Sequence, residues 1–303
     1  MQKIVLILGP TGRLGRNAAD AFERAGWTVR RFDRKRDSLE GATADVSVIV
    51  NGWNPPYHRW ADEVPGQTAD VIAAARACGA TVILPGNLYV YGAGAPERFA
   101  PDTPHDAHNP LGRVRIEMEE AYRASGVQTF VVRAGDFLDT RASGNWFDMI
   151  IAKKAATGRI AYPGPLDVPH EFTFLPDVAA TMVALAQRRE TLGRFEDVPV
   201  PGFTLTGHEL AMAVGQALQR DVRARRMSWL PIRLVSPFWP LGRRLLEMRY
   251  LWHKPHRLDA ARHRELCPEV VPTPLDAALL RALDHQIHPD EAMGTGGKAV
   301  LAK

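Results

Sequence analysis

Three glycines stand three residues apart in Gly9-Pro10-Thr11-Gly12-Arg13-Leu14-Gly15, directly after the apolar run Ile4-Val5-Leu6-Ile7-Leu8. A strand that runs into such a loop and then into a helix is built to hold the phosphates of a dinucleotide. The first glycine allows the tight turn, the second lets the backbone approach a pyrophosphate, and the third lets helix pack on strand. The amides that open the helix point at the negative charge. Gly9, Thr11, Gly12, Arg13, Leu14 and Gly15 are therefore candidate cofactor contacts. Leu14, Ala18, Phe22 and Ala25 then recur at helical spacing, and Gly26 stands where a C-cap belongs, ahead of a second strand over 27–32.

The end of that second strand selects the cofactor. In Arg30-Arg31-Phe32-Asp33-Arg34-Lys35-Arg36 an acid and a basic trio stand side by side. Asp33 suits the ribose hydroxyls of NAD, whereas Arg34 and its basic neighbours suit the 2′-phosphate of NADP. The trio tilts the reading to NADP(H), because an acid can turn away while three cations remain.

The elements that must position these residues alternate between strand and helix, which calls for a parallel sheet covered on both faces. Apolar runs predict strands over 46–50, 81–84 and 128–133, with helices over 65–78 and 110–124. The link from Asp33 to Asp45 is too short for both a helix and a strand, so one of them should be reduced. Beyond Gly135 the pattern becomes irregular, as a smaller substrate lobe requires. Helices are expected over 145–157 and 176–188. Capping announces two more: a capping box at Thr206-Gly207-His208-Glu209, and a cap, first-turn proline and acid at Thr273-Pro274-Leu275-Asp276. The organisation expected is a dinucleotide-binding α/β core over 1–135, a lobe over 136–287 with about 159–195 returning to the core, and a tail over 288–303.

Composition narrows the class. The chain has 303 residues, a formal charge of +4 and two cysteines, Cys78 and Cys267, with no metal-ligand spacing, so neither a disulfide framework nor a metal is expected and a reducing cytoplasm fits. Ile4–Leu8 is too short for a signal peptide, and no apolar run is long enough to span a membrane. Charge is concentrated late: between Arg220 and Arg264 twelve Lys or Arg face three acids, a local excess of nine. This basic segment could draw an anionic substrate, touch nucleic acid, or lie on a membrane through Trp229, Phe238, Trp239 and Trp252. No nucleic-acid motif accompanies it, so no nucleic acid is expected.

The chain resembles the extended short-chain dehydrogenases/reductases, which include sugar-nucleotide epimerases and dehydratases. The resemblance rests on the glycine loop, on Val90-Tyr91-Gly92, on Asn109-Pro110-Leu111-Gly112-Arg113-Val114-Arg115, and on Phe174-Leu175-Pro176-Asp177-Val178-Ala179. It covers roughly residues 1 to 220. It implies a Rossmann domain with a smaller C-terminal substrate lobe, NAD or NADP as cofactor, a small-molecule substrate, and a homodimer through a helix pair that includes 110–124.

Its departures matter equally. The family's Ser or Thr is Asn87 here, and its Tyr-x-x-x-Lys falls on Leu111 to Arg115. Leu111 cannot transfer a proton. Arg115 can still hold a ribose or stabilise an oxyanion, and Asn87 can polarise a carbonyl without acting as an acid. Tyr91 and Tyr89, just past the end of a strand, are then the nearest proton donors. Asn51 and Gly52 would border the nicotinamide, with Trp53, Tyr57 and His58 at a substrate mouth. Asp136 lies where the family begins its substrate pocket, and His170 and Glu171 lead a strand back toward the cleft. Two functions follow: an NAD(P)-dependent oxidoreductase or epimerase-like enzyme with an altered site, or a dinucleotide-binding sensor or scaffold that has lost catalysis.

Overall fold

Ile4–Leu8 is buried along its whole length, as a strand must be when a parallel sheet is covered on both faces. The computed structural model describes residues 3–287, so the tail expected over 288–303 lies outside the described residues. In chain order the elements are β1 (Ile4–Leu8), α1 (Arg13–Arg24), β2 (Thr28–Arg31), α2 (Leu39–Ala42), β3 (Val48–Asn51), α3 (Trp60–Cys78), β4 (Thr81–Gly86), β5 (Arg98–Phe99), α4 (Pro110–Ser125), β6 (Thr129–Arg133) and β7 (Asp136–Leu138). They continue with β8 (Arg159–Tyr162), β9 (His170–Phe174), α5 (Leu175–Arg188), β10 (Phe195–Pro199), β11 (Phe203–Leu205), α6 (Gly207–Leu218), β12 (Arg223–Arg226), α7 (Leu230–Val235), α8 (Pro240–Glu247), β13 (Arg257–Leu258), α9 (Ala261–Leu266) and α10 (Leu275–Ile287).

Six strands form one parallel sheet in the order β2-β1-β3-β4-β6-β10. Side chains alternate across it. Val5, Ile7, Val48, Val50 and Phe130 lie with α1 and α5 on one face, while Leu6, Leu8, Ile49, Val82 and Val131 lie with α3 and α4 on the other. Strand order reverses between β1 and β3, so a crevice opens beyond their C-terminal ends.

A third apolar cluster, built on Leu138, Phe147, Tyr162, Phe172, Leu210, Trp252 and Leu279, lies under the small sheet β11-β9-β7 and the pair β12-β8. The short parallel pair β5-β13 ties the stretch after β4 to the late chain. No helix among the described residues is long and apolar enough to cross a membrane.

Local expectations met mixed outcomes. Thr206 and Glu209 form the expected capping box, the Thr206 Oγ1 accepting from the Glu209 N–H at 3.2 Å and Glu209 Oε2 from the Thr206 N–H at 2.8 Å. Thr273 does not cap α10 in the expected way. Its N–H and hydroxyl both donate to the Asp177 carboxylate, at 2.9 and 2.7 Å, which fastens the approach to α10 onto α5. Between β2 and β3 the reduction goes further than expected: one turn of helix remains, capped by Ser38, and no strand follows it. The helix expected over 145–157 is a π-helical turn at Phe147–Ile151 and a 3-10 turn at Ala155–Thr157. Asp148 binds the N–H groups of Ser143 and Gly144, at 2.6 and 3.0 Å, and so holds a local turn in place of regular helix.

Candidate active site

The glycine loop is an interlocked knot of backbone. A Cβ at Gly15 would stand 2.2 Å from the Gly9 carbonyl oxygen, one at Gly52 2.7 Å from that of Leu8, and one at Gly9 2.9 Å from that of Gly52. Gly9 also has φ +70°, a conformation that glycine alone adopts readily. Gly12 is different. It is exposed, with φ −72°, and an added Cβ would meet only the Gly9 oxygen, at 3.3 Å. Packing within the protein does not require a glycine there, whereas a ligand lying against the backbone does. No side chain caps α1, so its first N–H groups are left for such a ligand. The loop therefore fits a dinucleotide.

Around this knot the predicted residues divide. Leu14 sends its side chain into the core, which leaves its backbone N–H as its contribution. Thr11 is exposed. Arg13 donates from Nη2 to the Gly144 carbonyl at 3.0 Å, and Arg16 and Asn17 bind Asp139 at 2.8 and 3.0 Å, so α1 is tied to the segment after β7. Asn51 is buried, donating to the Tyr122 hydroxyl at 3.2 Å and accepting from the Trp53 N–H at 3.2 Å.

Trp53 turns away from the expected substrate mouth. Its ring meets Phe32 edge-on at 5.7 Å and lies under the Arg34 guanidinium at 4.6 Å, because both flank the end of β2. Its indole Nε1 is buried without a hydrogen-bond partner. Asp33 turns back on its own loop, accepting from the Lys35 N–H at 3.0 Å and lying 3.7 Å from the Arg36 Nε.

At the positions where the resemblance expects Tyr-x-x-x-Lys, Leu111 is buried and its N–H donates to Glu247 at 2.6 Å, so a carboxylate from the end of α8 caps α4. Arg115 is buried beneath Trp60, 5.7 Å from its ring, and donates from Nη2 to the Pro85 carbonyl, while its Nε has no partner. Asn87 accepts from the Tyr89 N–H at 3.0 Å through Oδ1 and thereby shapes the turn after β4.

Tyr91 is no proton donor for this crevice. It is fully buried, stacked on Phe99 at 4.0 Å, and edge-on to His105, because the chain after β4 turns its ring into the core between β5 and α4. Beside it the Arg133 guanidinium, fully buried, binds Glu119 at 2.7 Å and Asp197 at 3.0 Å and donates to the Asn87 carbonyl at 2.7 Å. His105, Glu119 and Asp197 have metal-ligand atoms within 4.8 Å of one another, yet the Arg133 cation already answers both carboxylates. Burial holds His105 down at about 4, hence neutral.

Tyr57, Tyr89, Asp136 and His170 gather in one region, the Asp136 carboxylate acting on both phenols. The Tyr57 and Tyr89 hydroxyls are 2.9 Å apart. Burial, and behind it the Asp136 carboxylate, pushes both phenols above their ordinary range, so both stay protonated at neutral pH. Asp136 Oδ2 lies 2.6 Å from His170 Nε2, and the imidazole stacks flat on Trp252 at 3.7 Å. Glu171 points the other way, accepts from the Thr204 hydroxyl at 2.6 Å, and is raised by burial to about 7. His58 is exposed.

No protein-family model matches the chain, and no curated protein does. Solved structures match over nearly its whole length. MoeE5 in complex with UDP-glucose and NAD superposes with a TM-score of 0.73 at 14% identity, covering 94% of this chain and 99% of its own. A nucleoside-diphosphate-sugar epimerase from Pseudomonas aeruginosa gives 0.72 at 18% identity, over 96% and 99%. The chain thus shares the fold of these proteins, a Rossmann-type parallel sheet flanked by helices. A GalE-like L-threonine dehydrogenase from Cupriavidus necator shares it, with a TM-score of 0.71 at 16% identity over 94% and 100%.

Within this fold the sequence motifs led to the glycine loop and to the start of α4 around Leu111. They did not reveal Glu247 as the cap of α4 or Trp252 as the platform of His170. Both arrive from the late chain, whose only signal was an excess of arginine and tryptophan.

Proposed function

We propose that the chain is an NADP(H)-dependent oxidoreductase acting on a small carbonyl or hydroxyl compound, with the Tyr57–Tyr89 pair taking over the proton that position 111 no longer handles. The observation that carries the reading is the glycine knot with Gly12 left bare at its mouth. Gly9, Gly12, Gly15, Gly52 and the N–H groups of α1 would hold the pyrophosphate, and Arg34 the 2′-phosphate, since Asp33 is engaged by its own turn. MoeE5 was solved with NAD, so the preference for NADP rests on Arg34. A dinucleotide so bound supplies or accepts a hydride.

Reduction of a carbonyl also needs one proton at its oxygen. A Tyr57–Tyr89 pair of protonated phenols supplies that proton from one hydroxyl while the other steadies the oxygen left behind. Asp136 and His170 are the relay to replace it. Asn87 is the candidate for polarising the carbonyl. Arg115 supports this wall through Trp60 and the Pro85 carbonyl.

The test is oxidation of NADPH by a panel of carbonyl compounds and sugar nucleotides, the latter chosen because MoeE5 was solved with UDP-glucose. Tyr57→Phe and Tyr89→Phe should each lower kcat by about 10²-fold or more without weakening NADPH. Tight NADPH binding with no turnover of any compound would favour the sensor reading, to which Leu111 already lends weight.

A further inference from the structure

Of the four aromatic residues that could have touched a membrane, two are structural. Trp229 and Trp252 are buried, and Trp229 Nε1 donates to the Pro163 carbonyl at 2.7 Å. What remains outside is a ridge on α7, α8 and the turn between them. Leu230 is 58% exposed, Leu234 68%, Val235 50% and Phe238 92%. Trp239 lies at the start of α8 over the backbone of Gly242, where a Cβ would fall 2.4 Å from the indole, and it is 39% exposed. The opposite side of the same helices, Ile232, Leu245 and Leu246, packs against the lobe core. The outward face is therefore a second apolar face that no described residue covers.

The charges around this ridge are of one sign. From Val222 to Leu246 there are six arginines and no acid. Arg244 pairs with Glu247 at 2.9 Å and Arg223 with Asp221 at 3.2 Å. The side chains of Arg225, Arg226, Arg233 and Arg243 are exposed and have no hydrogen bond or ion pair among the described residues. Arg233 and Arg243 lie on the helices of the ridge, and Arg225 and Arg226 on the strand that leads into it.

An apolar ridge with an aromatic tip, set among unpaired guanidinium groups, complements a surface that is anionic above and hydrocarbon below. We infer that α7, α8 and the Phe238 turn form a monotopic docking face for anionic phospholipid membranes. Phe238, Leu234, Val235 and Leu230 enter the acyl boundary, Trp239 sits at headgroup level, and the arginines bind headgroup phosphates. A second copy of this chain would present the same arginines and repel, and a nucleic acid would leave the apolar ridge in water.

Co-sedimentation of the full chain with vesicles of phosphatidylcholine alone, and of phosphatidylcholine with 30% phosphatidylglycerol (~0.3 mole fraction, enough to give a negative surface potential), tests this. The mixed vesicles should bind it at least ~10-fold better, by an attraction of about fivefold per cation near the surface, and raised salt should weaken the difference. Leu234→Ser with Phe238→Ser should lose at least ~10-fold of that binding, and so should Arg233→Glu with Arg243→Glu. These positions are exposed, so melting curves of both variants should match the parent. Equal binding to the two vesicle types overturns the proposal, as does retention of vesicle binding by both variants. So does failure to bind vesicles by a chain that dimerises, or binds duplex DNA, through the same residues.

Discussion

Arg34 and Asp33 are neighbours in sequence with opposite consequences for the ribose end of a dinucleotide. The Asp33 carboxylate is held by the Lys35 N–H and the nearby Arg36, while the Arg34 guanidinium rests on Trp53 and faces outward. Arg34→Ala should weaken NADPH about tenfold, roughly one charge-assisted hydrogen bond, and leave NADH within about twofold. Calorimetric titration with both cofactors decides it, and equal losses would assign Arg34 to stacking alone. Asp33 and Arg34 could be read from the sequence because they follow the glycines at a fixed interval. Tyr91 could not, because its role depends on which way the chain turns after β4. One residue pair further back, Tyr89 reaches Tyr57, and the sequence offers no spacing rule that joins two tyrosines from different turns.

At the level of elements, the strand–loop–helix unit separates two jobs that the three glycines share. Gly15 serves packing, and a Cβ 2.2 Å from a carbonyl oxygen forces backbone to move. Gly15→Ala should therefore destabilise the protein by about 1–3 kcal/mol. Gly12 serves a ligand. Gly12→Val should leave the melting temperature nearly unchanged, within about 2 °C, yet abolish dinucleotide binding. Thermal melting beside titration separates the two, and a Gly12→Val chain that melted early would place that glycine with the packing residues. The same unit explains what was legible. Hydrophobic periodicity marks β1, α1, β3, α4 and β6, since each buries a regular stripe or run. It failed over 145–157, where the Asp148 carboxylate competes for backbone N–H groups and periodicity carries no such information.

The whole molecule carries its pH dependence in buried groups of opposite kind. Glu171 is raised by burial from 4.5 to about 7, so the unfolded chain holds fewer protons between these values. Its contribution is fully present below pH ~4.5 and is lost as pH rises through ~7. His105 and His263, both held down at about 4 by burial, act the other way, and stability falls as pH drops from ~6.5 toward 4. Glu171→Gln should raise stability by about 3 kcal/mol at pH 8, on the order of 5 °C, and have little effect at pH 4. It should thereby move the stability maximum to higher pH in a series of calorimetric scans. An equal gain at every pH would mean that Glu171 is ionised throughout.

The loss of a strand between β2 and β3 also has a consequence for the company the molecule keeps. It leaves β2 as the rim of the sheet, with a row of backbone groups facing outward. Arg30 folds across that rim to the carbonyls of Ala42 and Ala44, at 2.6 and 2.8 Å, and Arg31 pairs with Glu23 at 2.8 Å. A foreign strand that tried to zip onto this rim would have to displace one arginine and lie beside another. The rim is thus a strand of only four residues guarded by two guanidinium groups, the kind of edge that resists pairing with another chain.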